Sequence, residues 1–201
     1  MQPKKNFVKR LFDICVSATV LLLLGPFVLI VILAIRLESS GAALFSQTRV
    51  GKDGRLFNMW KFRSMFTDAE KYKAKLSNEM SGGVLFKMKK DPRITYMGRF
   101  IRKSSIDEIP QFWNVLKGEM SLVGPRPALP CEVVQYDDYQ CQRLKIKPGI
   151  TCTWQVSGRS EISFQQQVEM DLEYISNQSF YLDIILLLKT IPAVLTGRGA
   201  Y

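Results

Sequence analysis

The longest uncharged apolar run extends from Ile14 to Ile35, about 22 residues that as a straight helix would rise roughly 33 Å, close to one bilayer core. A cleavable signal peptide fits this run poorly, because it exceeds the usual apolar core. Gly25 and Pro26 lie near its middle, where proline removes a backbone donor and favours a bend. Lys4, Lys5, Lys9 and Arg10 precede the run and Arg36, Arg49, Lys52 and Arg55 follow it, so charge gives no orientation bias. A straight anchor with a tolerated kink and a helix that turns back are both compatible with this segment.

Beyond it, Ala43 to Val50 and Leu56 to Met65 are β-compatible runs flanking Lys52-Asp53-Gly54, which predicts a β-hairpin. Thr67 to Met80 reads as a helix, ended by the flexible Ser81-Gly82-Gly83. Ile109, Phe112, Trp113 and Leu116 recur at helical spacing, Ser105 and Glu108 have capping-box spacing, and Gly118 offers a stop. A helix beginning there carries Asp107 and Glu108 in its first turn. Ile162 to Ser176 predicts an amphipathic helix, and Phe180 to Leu195 a strongly apolar one interrupted by Asp183 and Lys189. For the latter an interfacial placement is expected, with Lys189 and Arg198 toward acidic headgroups and Leu186, Leu187 and Ile191 toward acyl chains.

Composition narrows the chemistry. Hydrophobic residues make up 47% of the 201 residues, enough for a real core. A net charge of +10 suits an anionic partner such as phosphate, nucleic acid or acidic lipid. With no histidine, Ser-His triads and His-based metal sites are excluded, and carboxylates become the leading candidates. Cys15, Cys131, Cys141 and Cys152 lack C-x-x-C spacing and read as reduced thiols.

Acidic residues in a first helical turn ordinarily do no more than oppose the helix dipole. Asp107 and Glu108, however, follow Arg99, Arg102 and Lys103 and precede Pro125-Arg126-Pro127 and Ser157-Gly158-Arg159, basic groups of the kind that bind a diphosphate.

Several longer runs together carry a specific resemblance: Lys9 to Asp13 ahead of the Pro26-containing apolar run, KFRSM at Lys61 to Met65, IDEIPQFWNVLKGEMSLVGPRP from Ile106 to Pro127, and PGIT at Pro148 to Thr151. WQVSGRS at Trp154 to Ser160 and the ending Gly197 to Tyr201 add to it. Over nearly its whole length the chain resembles the bacterial sugar transferases, monotopic polyprenyl-phosphate phosphoglycosyl transferases of the hexose-phosphate branch. Many small members have Ser-Pro at the membrane bend, where this chain has Gly25-Pro26.

The resemblance implies an α+β fold with a re-entrant membrane helix in residues 1–38, a β-hairpin, amphipathic interfacial helices, and a cytoplasmic catalytic unit in residues 39–201. It implies Asp107 as nucleophile and Glu108 as its catalytic neighbour and Mg2+ ligand. Arg102 matches a phosphate-contacting position, Pro125, Arg126 and Pro127 the nucleotide motif, and Lys61, Arg63 and Arg159 further substrate contacts. The expected partners are a UDP-sugar, polyprenyl (undecaprenyl) phosphate and membrane lipids, with room for a homodimer. The expected reaction transfers glucose or galactose 1-phosphate through an aspartyl intermediate and releases UMP, at the cytoplasmic face of a bacterial inner membrane. A noncatalytic membrane scaffold is the alternative of another class; Trp60, Phe62 and Trp113 with the basic charge would suit nucleic acid, but the apolar N-terminal run argues against it.

Overall fold

The structure, a computed structural model, describes residues 3–69, 71, 91–158 and 161–196. Most of the helix expected over Thr67 to Met80, the glycine segment after it, Arg159 and the Gly197 to Tyr201 ending lie outside the described residues. Helix α1 spans Pro3–Glu38, with proline at its first position, where the missing donor has no intrahelical partner to lose. It runs on as helix through Gly25 and Pro26. Its midsection exposes Leu22, Leu23, Leu29 and Ile30, so composition and surface agree on an apolar environment.

The ends of α1 are fastened to the rest of the chain by different means. Near the start, Lys9 donates to Asp183 (2.6 Å) and the Val123 carbonyl, Arg10 to the Val115 and Leu116 carbonyls, and Asp13 accepts from Ser121 and the Leu122 amide. Near the finish, Val31 and Ile35 pack with Phe62 and Ile101 in one apolar cluster.

Strands β1 (Leu44–Val50) and β2 (Leu56–Phe62) form the expected hairpin, antiparallel from Leu44 opposite Phe62 to Val50 opposite Leu56. Asp53 takes a left-handed conformation in its turn (φ 55°), which Asp tolerates better than most residues. Phe57 and Met59 bury under the hairpin against Val115 and Met120. Helix α2 (Tyr96–Lys103) starts at Thr95, whose hydroxyl accepts from the Gly98 amide, while Glu38 accepts from Met97. A Cβ on Gly98 would run into the Ser64 carbonyl, so glycine lets α2 lie directly on the segment leaving β2.

The predicted first turn containing Asp107 differs from expectation. Ser105 makes no capping hydrogen bond and is left-handed (φ 56°), Ile106–Glu108 form a 3-10 turn, and helix α3 (Gln111–Lys117) begins after Pro110. Pro110 has no amide to donate, so the turn stays separate from the helix that follows.

Strand β3 (Ser121–Val123) pairs in parallel with β4 (Gly149–Thr151). Between the strands come helices α4 (Pro130–Val133) and α5 (Asp138–Cys141); after them come α6 (Thr153–Ser157), α7 (Phe164–Asn177) and α8 (Phe180–Thr196). A Cβ on Gly149 would strike the Gly124 amide nitrogen, a close approach that brings the Pro125-Arg126-Pro127 loop against β4. The fold is thus mixed, mostly helical with two small sheets. On α8, Ile191 is exposed as expected, but Leu186 is buried among Leu122, Val123 and Tyr174, so this residue serves the core and not an outward apolar face. The four cysteines are free thiols, as read from their spacing.

Candidate active site

Asn114, fully buried on α3, fixes the end of β2. Its side-chain oxygen accepts from the Trp60 amide (3.0 Å), and its amide group donates to the Asn58 carbonyl and Glu119. That clamp sets the next residue, Lys61, over the 3-10 turn. Lys61 Nζ lies 2.8 Å from Glu108 Oε1 and 3.5 Å from Asp107 Oδ2. Arg126 Nη1 approaches Glu108 Oε1 at 4.0 Å. The strained left-handed Ser105 just ahead delivers both carboxylates to this point within four residues.

Asp107 is buried, and burial is the main force pushing its carboxyl above the ordinary range. Glu108 adds to that push; Lys61 and Arg102 oppose it. Arg102 is itself moved downward, chiefly by burial, with Asp107 acting in the other direction.

Two cavities meet at Asp107. One of about 460 Å3 sets Arg49, Arg93, Arg102, Arg126 and Arg143 among apolar walls that include Phe45, Phe62, Phe66 and Phe164. The other, about 390 Å3, opens toward α6 and α8. Lys61, Arg102, Asp107, Arg126 and Trp154 line both and therefore lie where they join.

The structure brings Asp107, Glu108, Lys61, Arg102, Arg126 and Pro127 together around these cavities. It places Pro125 away from the two large spaces, where its carbonyl accepts from the Gly149 amide (2.9 Å). Arg63 borders the larger cavity, but its guanidinium donates to the Ser39 and Ser40 carbonyls at the end of α1. Arg159 lies outside the described residues.

Sequence reasoning missed Arg49 and Arg143 as cavity residues. Arg49 donates to the Pro127 carbonyl and Gln47, and burial, helped by Arg126, pushes its guanidinium down to about 10. An arginine within a half-apolar strand was the available signal; its burial is not written in the sequence. Arg143 pairs with Asp171, 28 residues away, a contact with no local signature.

Among the described residues no group of three or more acidic or thiol side chains is gathered to hold a metal. The adjacent Asp107 and Glu108 nevertheless suit Mg2+, which commonly takes one or two protein carboxylates and completes its shell with substrate phosphates and water.

Residues 4–197 match the family described as bacterial sugar transferase. The chain is 49% identical to galactosyl transferase CpsE of Streptococcus agalactiae, over 96% of this chain and 43% of that protein. It is 42% identical to undecaprenyl-phosphate galactose phosphotransferase of Salmonella typhimurium, over 98% of this chain and 42% of that protein. It is 34% identical to exopolysaccharide production protein ExoY of Rhizobium meliloti, over 100% of this chain and 91% of that protein. The chain therefore spans less than half of the first two relatives and nearly all of the third.

Proposed function

The chain belongs to the bacterial sugar transferase family, and from that membership we propose that it transfers a sugar 1-phosphate from a UDP-sugar to polyprenyl phosphate, releasing UMP. The sugar is glucose or galactose, and the setting is an early membrane step of surface polysaccharide synthesis at the cytoplasmic face of a bacterial inner membrane. The relatives' names support galactose, the undecaprenyl-phosphate carrier and exopolysaccharide production. The observation that carries the reading is a buried carboxylate, Asp107, opening onto an arginine-bearing cavity of about 460 Å3.

In this reading Asp107 attacks the β-phosphorus of the donor and holds the phosphosugar as an acyl phosphate. Anionic phosphate oxygens repel a carboxylate, and Lys61, Arg102 and Arg126 offset that repulsion and the charge developing on the leaving nucleotide. Glu108, with donor phosphate oxygens, would hold Mg2+, which when bound supplies further charge neutralisation. Lys61 keeps the paired carboxylates in place before donor arrives.

Residues 1–38 form the membrane element and 39–201 the catalytic unit. Both ends of α1 are fastened to that one unit, Lys9 and Asp13 to α8 and β3, Ile35 to the cluster with Phe62. We therefore take α1 as re-entrant, with Leu22, Leu23, Leu29 and Ile30 in the bilayer and both ends cytoplasmic. Exposed Tyr96 and Phe100 on α2, and Leu188 and Ile191 on α8, extend the membrane-facing surface. Engineered cysteines at Lys4 and Lys52 should label from the same side in oriented vesicles, and opposite-side labelling rejects the re-entrant topology.

The catalytic reading is tested by rapid quench with labelled UDP-sugars, Mg2+ and polyprenyl phosphate. UMP release with a protein-linked phosphosugar is expected. UDP release, or transfer with no covalent adduct, overturns the mechanism.

A further inference from the structure

Three cations line both cavities beside Asp107, and they are not carried alike. Lys61 stands on β2 and Arg102 on α2, whereas Arg126 comes from the loop between β3 and α4. A loop side chain is placed only as well as the backbone beneath it is held. Pro125 and Pro127 fix φ on either side of Arg126, and neither has an amide with which to tie itself down. Upstream the loop is fastened by β4: the Gly124 amide donates to the Thr151 carbonyl at 3.1 Å and the Gly149 amide to the Pro125 carbonyl at 2.9 Å. Downstream the Val50 amide of β1 donates to the Ala128 carbonyl at 2.9 Å. The Pro127 carbonyl, the one adjoining Arg126 on that side, is held by a side chain: Arg49 Nη1 donates to it at 2.9 Å.

Arg49 is a costly group to use as a tie. It is 9% exposed, and its Nε is enclosed without a hydrogen-bond partner among the described residues. Burial first and the like charge of Arg126 second push its guanidinium down to about 10, against the pull of Glu132 and Glu108. A neutral donor would hold one carbonyl with less loss of hydration. What the guanidinium adds is a rigid fork. Nη2 donates to Gln47 Oε1 at 2.6 Å while Nη1 holds Pro127, so the group spans from β1 to the loop in a single orientation.

We propose that Arg49 is a positioning residue for the transfer: its guanidinium ties the Pro125-Arg126-Pro127 loop to β1, so that Arg126 meets the donor diphosphate at Asp107. This rests on the phosphosugar-transfer reading above, in which Arg126 is the cation that touches the donor. Arg49 acts through the loop, because Nη1 and Nη2 are engaged by protein oxygens and Nε is enclosed. Without the tie, Arg126 keeps its charge and loses its fixed place 4.0 Å from Glu108.

Adduct formation from labelled UDP-sugar by the full chain reads the effect, as kcat/KM for the donor and as the burst amplitude of UMP, which counts folded sites. Arg49→Met should lower kcat/KM by about tenfold or more at full burst amplitude. Its melting temperature should not fall, because methionine removes an enclosed cation together with its unmet donor. Arg49→Lys, which can still donate to the Pro127 carbonyl, should recover at least about threefold of the loss. The deciding measurement is a double-mutant cycle: added to Arg126→Gln, Arg49→Met should lower kcat/KM by less than about a further twofold. Losses that multiply mean that Arg49 acts independently of Arg126 and overturn the assignment. So does a reduced burst amplitude with unchanged kcat/KM per active site, the mark of a residue that only supports the fold. If Arg49→Met yields no folded protein, Gln47→Leu decides in its place. Freeing one prong of the fork should cost about threefold in kcat/KM alone and nothing beyond the loss in Arg126→Gln, and an unchanged kcat/KM in Gln47→Leu overturns the assignment. Absence of UMP release from the unsubstituted protein removes the transferase reading and this role with it, whereas multiplying losses in a UMP-releasing protein remove only the role of Arg49.

Discussion

Asp107 and Asp171 are both buried carboxylates, 7% and 1% exposed, and in both burial pushes the carboxyl up while a nearby cation pulls it down. Their surroundings then diverge. Asp171 Oδ2 accepts from Arg143 Nε at 2.9 Å and lies 2.7 Å from its Nη2, so both prongs of the guanidinium close on one carboxylate oxygen. Arg143 borders the larger cavity but also donates to the Tyr136 phenol and lies against the Tyr136 and Phe164 rings, and Asp171 behind it reaches neither cavity. Asp107 meets Lys61 at 3.5 Å, shares that ammonium with Glu108 at 2.8 Å, and faces two cavities. A buried carboxylate closed by its partner holds structure together. One held loosely beside a second negative charge, with open space in front of it, is equipped to react.

Replacing each carboxylate should separate the two roles. Asp107→Asn should reduce turnover by about four orders of magnitude or more and abolish the adduct, because an amide cannot act as the anionic nucleophile. Its stability should not fall. Folding raises the Asp107 carboxyl, chiefly through burial, so wherever the group is ionised its charge subtracts from stability, and a neutral isostere relieves that cost. A clear drop in melting temperature would put Asp107 in the same class as Asp171. Asp171→Ala, in contrast, strands a guanidinium that stays charged, and should cost about 3–5 kcal/mol in chemical denaturation. Adding Arg143→Met should recover much of that loss; failure to recover it would mean the ion pair is not what Asp171 contributes.

The sequence pattern carried the local half of this picture. β-Compatible runs around Asp53-Gly54 were enough for the hairpin, whose pairing depends on that turn and on residues a few positions apart. The apolar spacing placed α7 and α8 within two residues of their observed starts. The carboxylate pair became readable through longer motifs, since two acids in a first turn have a commoner structural reading. Local rules failed at Ser105, where capping-box spacing predicted a regular helix start and the chain instead takes a left-handed residue and a 3-10 turn. That turn is held by Lys61 from β2, a tertiary contact that helix propensity does not contain. Distance along the chain hid the rest: Lys9 meets Asp183 across 174 positions, and the wall with Arg49 and Arg143 is assembled from separate elements.

Lys61 sharpens the comparison because it is the counterpart of Arg143 with a looser hold. After burial, it is the strongest influence on Asp107, and it acts downward. Lys61→Met should therefore let the carboxyl rise further, moving the acidic limb of kcat/KM to higher pH and reducing kcat/KM by about ten- to a hundredfold. The sign follows from ionisation: a higher carboxyl pKa leaves less anionic nucleophile at a given acidic pH. A limb that stays in place or moves to lower pH would show that Lys61 does not hold the Asp107 charge in the free enzyme.

The smallest effect is expected at Arg63, which the family resemblance groups with the substrate cations and whose hydrogen bonds group it with Arg143. Its Nη1 donates to the Ser40 carbonyl at 2.7 Å, and its Nη2 to the Ser39 carbonyl at 2.6 Å and hydroxyl at 2.9 Å. Carbonyls just beyond a helix end lack intrahelical donors, and a cation there also opposes the negative end of the helix dipole. Arg63→Gln keeps a donor but removes the charge and the fork. It should cost about 1–2 kcal/mol of stability and change the donor KM by less than about threefold. Thermal unfolding and donor KM, measured on the same preparation, decide the grouping. A tenfold rise in donor KM with unchanged unfolding would move Arg63 beside Lys61 as a substrate contact, because a residue that only ties α1 to β2 has no reason to weaken donor binding in a fully folded protein.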